Sequence, residues 1–275
     1  MTSETTLPEV QSEYVHSGAL QMYCETQGRG RPLLLLHAGL ATIDTSFEKL
    51  RPMLAMRWTT TAVEQQGHGH TADIDRPLAY EQMVEDTASL LRKKKIINAD
   101  IFGWSDGGIV ALGLAARHPD LIRKVATIGS GYNTDAWSPD FKERQAAMKP
   151  DNKNTLPFFD AYRSVAPKPD DWPLLIEKAK AMWVGFKGWS EAEMRTLKAP
   201  LMVMLGDDDF LRPEHALELF RMAPNRRLAV LPGSDHSAPT TRVDWVAAML
   251  IDFFDAPAEK VDAVRHSNNQ LKEQS

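Results

Sequence analysis

Short apolar runs alternate with amphipathic stretches along most of this chain, and that alternation leaves few folds open. Pro32–His37 (PLLLLH), Trp58–Glu64 (WTTTAVE), Ile96–Trp104, Val125–Gly129, Pro200–Leu205 (PLMVML) and Leu228–Leu231 each read as strands. A run that is apolar at every position suits a strand covered on both faces, as in a parallel sheet. Helical patterns lie between them: Phe47–Met56, Pro77–Lys95, Asp106–His118, Pro213–Met222 and Thr241–Phe254. In the second, Leu78, Met83, Val84, Ala88 and Leu91 recur at helical spacing. Pro213 opens its helix, where a missing N–H costs nothing. Glu13 to Gly28 reads as two strands joined by a turn near Ser17 and Gly18. Short strands alternating with helices predict βαβ units, and hence an α/β fold: a mostly parallel sheet with helices on both faces.

One segment breaks the alternation. Residues 133–197 contain no convincing buried strand, yet hold four of the seven tryptophans: Trp137, Trp172, Trp183 and Trp189. This predicts a helical cap inserted into a core built from 13–132 and 198–255. The polar stretch 256–275 reads as a C-terminal tail, and the first dozen residues as a frayed start. The 275 residues carry a net charge of −5, which gives no reason to expect a nucleic-acid partner. No apolar run reaches the roughly 18 residues of a membrane helix, and MTSETTLPEV lacks the form of a secretory signal. Cys24 is the single cysteine, so no intrachain disulfide can form. A cytoplasmic protein is the expectation; oligomeric state is not legible.

The chemistry centres on Gly103-Trp104-Ser105-Asp106-Gly107-Gly108. It contains Gly-x-Ser-x-Gly, directly after a predicted strand and directly before a predicted helix. A serine on so tight a turn has a strained backbone, and its hydroxyl is lifted into the open at a helix N-terminus. Free N–H groups there favour developing negative charge. On these residues the chain resembles the α/β-hydrolase superfamily, from roughly residue 13 to 255. The turn is similar to that of esterases and of the valacyclovir-hydrolase-like branch, where aspartate follows the serine.

A serine hydroxyl needs a base, and the base needs an orienting partner. This fold supplies them in the order Ser, then Asp or Glu, then His. His215, His236 and His266 follow the serine and the acids at the strand ends. His266 sits in the tail, and His215, in a first helical turn, reads as solvated. His236, in Leu-Pro-Gly-Ser-Asp-His, has glycine three residues before it, as the resemblance implies for the catalytic histidine. For the acid, Asp207, Asp208 and Asp209 stand in a row before Phe210, Leu211, Arg212 and Pro213. The resemblance implies an acid four residues before the proline, which selects Asp209; Asp207 is the alternative. Asp235 is too close to His236 in sequence to orient it from behind.

Two backbone donors should face the oxyanion of acyl transfer. The resemblance implies the N–H of Asp106 and a donor after His37, which is Gly39 by alignment or Leu40 as the alternative. Ala38 stands where relatives carry glycine. Gln65-Gln66-Gly67-His68-Gly69-His70-Thr71 replaces the family's Asp-x-Arg-Gly-x-Gly-x-Ser stretch, so its bracing should differ. His68 and His70 lack the carboxylate spacing of a metal site. The implied activity is a carboxylesterase-type serine hydrolase acting on a small-molecule ester, with no cofactor and no metal. Leu40, Trp104, Trp137, Phe159, Trp183 and Phe186 are candidates for an apolar substrate pocket. Amide, lactone or carbon–carbon bond hydrolysis, perhydrolysis, and a ligand receptor on the same fold are the competing readings.

Overall fold

A computed structural model describes residues 7–151 and 155–257. The strands are β1 (Gln11–Ser17), β2 (Leu20–Gln27), β3 (Arg31–Leu36), β4 (Trp58–Val63), β5 (Ala99–Trp104), β6 (Ile122–Ile128), β7 (Leu201–Asp208) and β8 (Arg226–Asp235). The helices are α1 (Ile43–Phe47), α2 (Leu50–Ala55), α3 (Tyr80–Lys93), α4 (Asp106–Arg117), α5 (Pro139–Ala146), α6 (Leu156–Val165), α7 (Trp172–Gly185), α8 (Glu191–Arg195), α9 (Pro213–Met222), α10 (Ala238–Thr241) and α11 (Val243–Asp255). The eight strands form one sheet in the order β1-β2-β4-β3-β5-β6-β7-β8. β1 and β2 pair antiparallel and β2 meets β4 antiparallel; every later pairing is parallel.

Strand alternation sends successive side chains to two separate cores. Leu34, Leu36, Ile101 and Val203 pack on one face with α3, α4 and α9. Leu33, Leu35, Phe102, Met202 and Met204 pack on the other with α1, α2 and α11. Both faces are therefore covered, which is why these strands read as unbroken apolar runs. No helix among the described residues is long and apolar enough to cross a membrane.

The predicted helix at 47–56 is instead two short helices. Thr42 and Thr45 form a reciprocal capping box that starts α1 four residues earlier than expected. The described residues of 133–197 form α5 to α8 and two single 3₁₀ turns, with an isolated bridge from Trp137 to Leu211. Lys178 of α7 ties this segment to the core, donating to Asp73 Oδ2 at 2.5 Å and to the carbonyls of Ile74 and Arg76 at 3.0 and 2.9 Å. Most of the predicted tail, 258–275, lies outside the described residues.

Candidate active site

Ser105 stands between β5 and α4 with φ 54° and ψ −119°, a conformation rarely adopted by a residue with a side chain. The turn is held from outside. Ser105 N–H donates to Ile128 O at 3.0 Å, and Ser130 Oγ donates to Ser105 O at 2.8 Å. Its glycines are steric necessities. A Cβ at Gly107 would lie 2.1 Å from Leu36 O, and one at Gly103 would lie 2.3 Å from Gly107 O.

His236 follows β8, and its Nδ1 lies 2.7 Å from Asp209 Oδ1. Asp209 also accepts the Leu211 N–H at 3.1 Å, and its side chain is 1% exposed. Asp207 does not approach the imidazole in this way: it points to solvent and accepts the Ser234 N–H at 3.0 Å. The N–H groups of Gly233 and Ser234 hold its carboxyl below the usual range. Asp235 bonds Ser237 locally. Gly129 gives the imidazole its seat, because a Cβ there would lie 2.8 Å from His236 Cε1 and Nδ1. Trp104 Nε1 donates to His236 O at 2.9 Å and fixes the loop. Ser105 and His236 line one cavity of about 320 Å³. Among the described residues no hydrogen bond joins the Ser105 hydroxyl to His236; such contacts commonly tighten only when substrate binds.

The loop after β3 lies against the Ser105 turn. Leu40 has φ 61°, and a Cβ at Gly39 would lie 2.4 Å from Asp106 Oδ2. The N–H of Asp106, first in α4, has no intrahelical partner to find. The Asp106 side chain is engaged elsewhere. Tyr80 Oη donates to Oδ1 at 2.7 Å and Trp183 Nε1 donates to Oδ2 at 2.9 Å. Burial pushes this carboxyl up, opposed by the Tyr80 and Trp183 hydrogen bonds and then by His236. Tyr80 carried no sequence signal for this role beyond its place in a helix.

Leu40, Trp104 and Trp183 line the cavity, together with the insertion's Phe141 and Phe158, and with Met148 and Phe210, which the sequence did not single out. Three pocket candidates are corrected. Phe186 is buried between Tyr80 and Trp189, with ring centroids 4.7 and 5.2 Å away. Phe159 packs on Trp172 at 5.7 Å. Trp137 lies 6.4 Å from the His236 ring and 5.3 Å from Phe141, and is not among the lining residues. His215 is corrected too. It is buried, not solvated, accepting the Tyr132 N–H at 3.3 Å and stacking on Tyr132 at 4.6 Å.

Glu64 replaces the missing charged brace of the neighbouring loop. It is 1% exposed and accepts the N–H groups of Ile43 and His70 at 3.1 and 2.6 Å. Gln66 accepts from Arg76 Nε and donates to Asp73 Oδ1, both at 2.7 Å. His37 Nε2 accepts the Gln65 N–H at 3.1 Å, so the proton sits on Nδ1 and is donated to Ala38 O at 2.7 Å. His68 Nδ1 likewise donates to Gln66 O at 2.9 Å. No cluster of potential metal ligands occurs among the described residues.

Burial pushes His37 down to about 3 and His68 down to about 4. Both folded values lie below the unfolded value near 6.5. The unfolded chain thus binds more protons below pH 6.5, and stability falls as pH falls towards the folded values. Each histidine contributes a slope of about 1.4 kcal/mol per pH unit while it is charged only in the unfolded chain. His68→Gln is expected to reduce the slope between pH 5.5 and 4.5 by about that amount. Urea unfolding at the two pH values checks it; an unchanged slope would show that His68 is not neutral in the fold.

A serine on a strand-to-helix turn, a histidine with a buried carboxylate behind it and a parallel sheet presenting both at one cavity define an enzyme of the α/β-hydrolase type. The chain belongs to the alpha/beta hydrolase family, whose model matches residues 33–249. It is 26% identical over 253 residues to serine hydrolase BPHL of Mus musculus, covering 89% of this chain and 86% of that protein. It is 28% identical over 228 residues to the pimeloyl-[acyl-carrier protein] methyl ester esterase of Neisseria meningitidis, covering 75% of this chain and 87% of the relative. Among solved structures, 2-hydroxy-6-oxo-6-phenylhexa-2,4-dienoate hydrolase from Rhodococcus sp. strain RHA1 superposes with a TM-score of 0.74. At 23% identity, over 91% of this chain and all of that one, it supports the fold.

Proposed function

We propose that this chain is a serine hydrolase that cleaves carboxylic esters through an acyl-enzyme on Ser105. One observation carries the reading: the 2.7 Å contact between His236 Nδ1 and the buried Asp209, with His236 and Ser105 lining the same cavity. Asp209 holds the proton on Nδ1, leaving Nε2 free to accept the Ser105 proton. Ser105 Oγ attacks the ester carbonyl, and the oxyanion is met by the N–H groups of Asp106 and Gly39. Each such donor is worth roughly 3–4 kcal/mol by mutational loss. The imidazolium then gives its proton to the leaving alkoxide, the C–O bond breaks, and the alcohol departs. Water repeats the sequence on the acyl-enzyme, with His236 again as base, and releases the acid.

The cavity lining argues for the acyl or alcohol part being apolar. Phe141, Phe158, Phe210, Trp183, Met148 and Leu40 surround a space of about 320 Å³, the size of a small to medium ester. In this reading the helical segment 133–197 acts as a cap that supplies much of that lining. The methyl ester named for the Neisseria relative is of the same bond class. The test is a series of p-nitrophenyl esters of increasing acyl length, run beside matched anilides and lactones. Ester turnover with an optimum at short to medium chains is expected. Faster turnover of anilides or lactones than of every ester would overturn the choice of ester.

A further inference from the structure

Among the described charged side chains that line the cavity, one is a fixed cation: Arg144 of α5. It is exposed and forms no ion pair among the described residues; its Nε donates to Asp140 O, one turn back, at 3.3 Å. Its guanidinium carbon lies 4.7 Å from the centroid of Phe210. Phe210 in turn stacks on Phe141 at 4.6 Å and lies 5.3 Å from the His236 ring. The guanidinium and the imidazole thus both neighbour the Phe210 ring. Stacking fixes the plane of the fork while leaving its terminal N–H groups free to donate. The neighbouring Gln145 lines the same stretch of wall.

We propose that Arg144 forms an anion subsite, and that the substrates are esters carrying a carboxylate on the arm remote from the reacting carbonyl. This rests on the ester reading above. A carboxylate matches the guanidinium fork in shape and charge. A phosphate dianion would bring a second negative charge into a cavity whose other acid is the Asp106 carboxyl. Arg144 also suits the last turn of its helix, where cations favour the C-terminal dipole. That role is indifferent to the charge of the substrate, so substrate charge separates the two.

The test uses the full chain and two p-nitrophenyl esters of equal acyl length, one ending in a carboxylate and one in a methyl group. Wild type is expected to favour the carboxylate ester in kcat/KM by about tenfold at low salt, equivalent to about 1.4 kcal/mol, and less at high salt. Arg144→Gln is expected to remove that preference through KM, leaving the neutral ester within about twofold, and Arg144→Lys to restore part of it. Equal loss on both esters, or a wild-type preference for the methyl ester, would overturn the subsite. If neither ester turns over, the ester reading fails by itself. Adipate then tests the subsite separately: it should raise the melting temperature of wild type and not of Arg144→Gln, and equal or absent shifts would overturn it.

Discussion

Ser105→Ala is expected to lower kcat on the best ester by about a millionfold, with little change in melting temperature. Both halves follow from the local structure. The hydroxyl would be the atom that forms the acyl bond, and neither the oxyanion donors nor His236 can take its place. Residual turnover above the water rate would come from the donors and from binding. The fold should survive because the strained backbone, with φ 54°, is secured by Ile128 O and Ser130 Oγ through main-chain atoms that alanine retains. Steady-state kinetics beside a melting curve checks this. A variant retaining a tenth of wild-type activity would remove Ser105 from the chemistry.

Asp209→Asn is expected to cost about 10⁴ in kcat, whereas Asp207→Asn should stay within about threefold of wild type. The two residues are neighbours of equal formal charge, so the contrast isolates geometry. Asp209 Oδ1 is 2.7 Å from His236 Nδ1 and sits in a buried position. An asparagine amide there would donate to Nδ1 and force the proton onto Nε2, the nitrogen that must accept it from the serine. The same Oδ1 accepts the Leu211 N–H at 3.1 Å, which fixes the carboxylate facing the imidazole. Asp207 is exposed, and it accepts the Ser234 N–H near the end of β8, with no hydrogen bond to the ring among the described residues. Parallel kcat measurements on the two variants check it; similar losses for both would mean that the acidic run acts by bulk charge.

The order of strands and helices was legible because parallel strands must be apolar on both faces, and such runs cannot be mistaken for solvent-exposed segments. Boundaries were less so. The capping box at Thr42 and Thr45 lies outside the apolar periodicity, and β8 extends to Asp235 through pairing with β7 that no local pattern announces. Ser105 could be picked out because a tight turn leaves marks within a few residues, and His236 because its loop resembles the family's glycine-led one. The contacts of Asp106 with Tyr80 and Trp183, the support of Ile43 by Glu64 and the approach of Arg144 to Phe210 join residues far apart in the chain. Composition placed aromatic side chains in 133–197 but carries no information on which way each helix face turns. Phe186 and Phe159 went to packing, and Phe141 and Phe158 to the cavity. His215 read as solvated because it lies in the first turn of its helix; Tyr132, whose N–H it accepts, comes from 83 residues earlier.

The nucleophile assignment is tested most directly by covalent capture. A fluorophosphonate, which phosphonylates serines activated by a neighbouring base, should label the native protein with one equivalent. Peptide mass mapping should find the adduct on Ser105, and prior His236→Ala substitution should slow labelling by several orders of magnitude. Intact protein that takes up no label, or takes it up at another residue at the same rate with and without His236, would contradict the account.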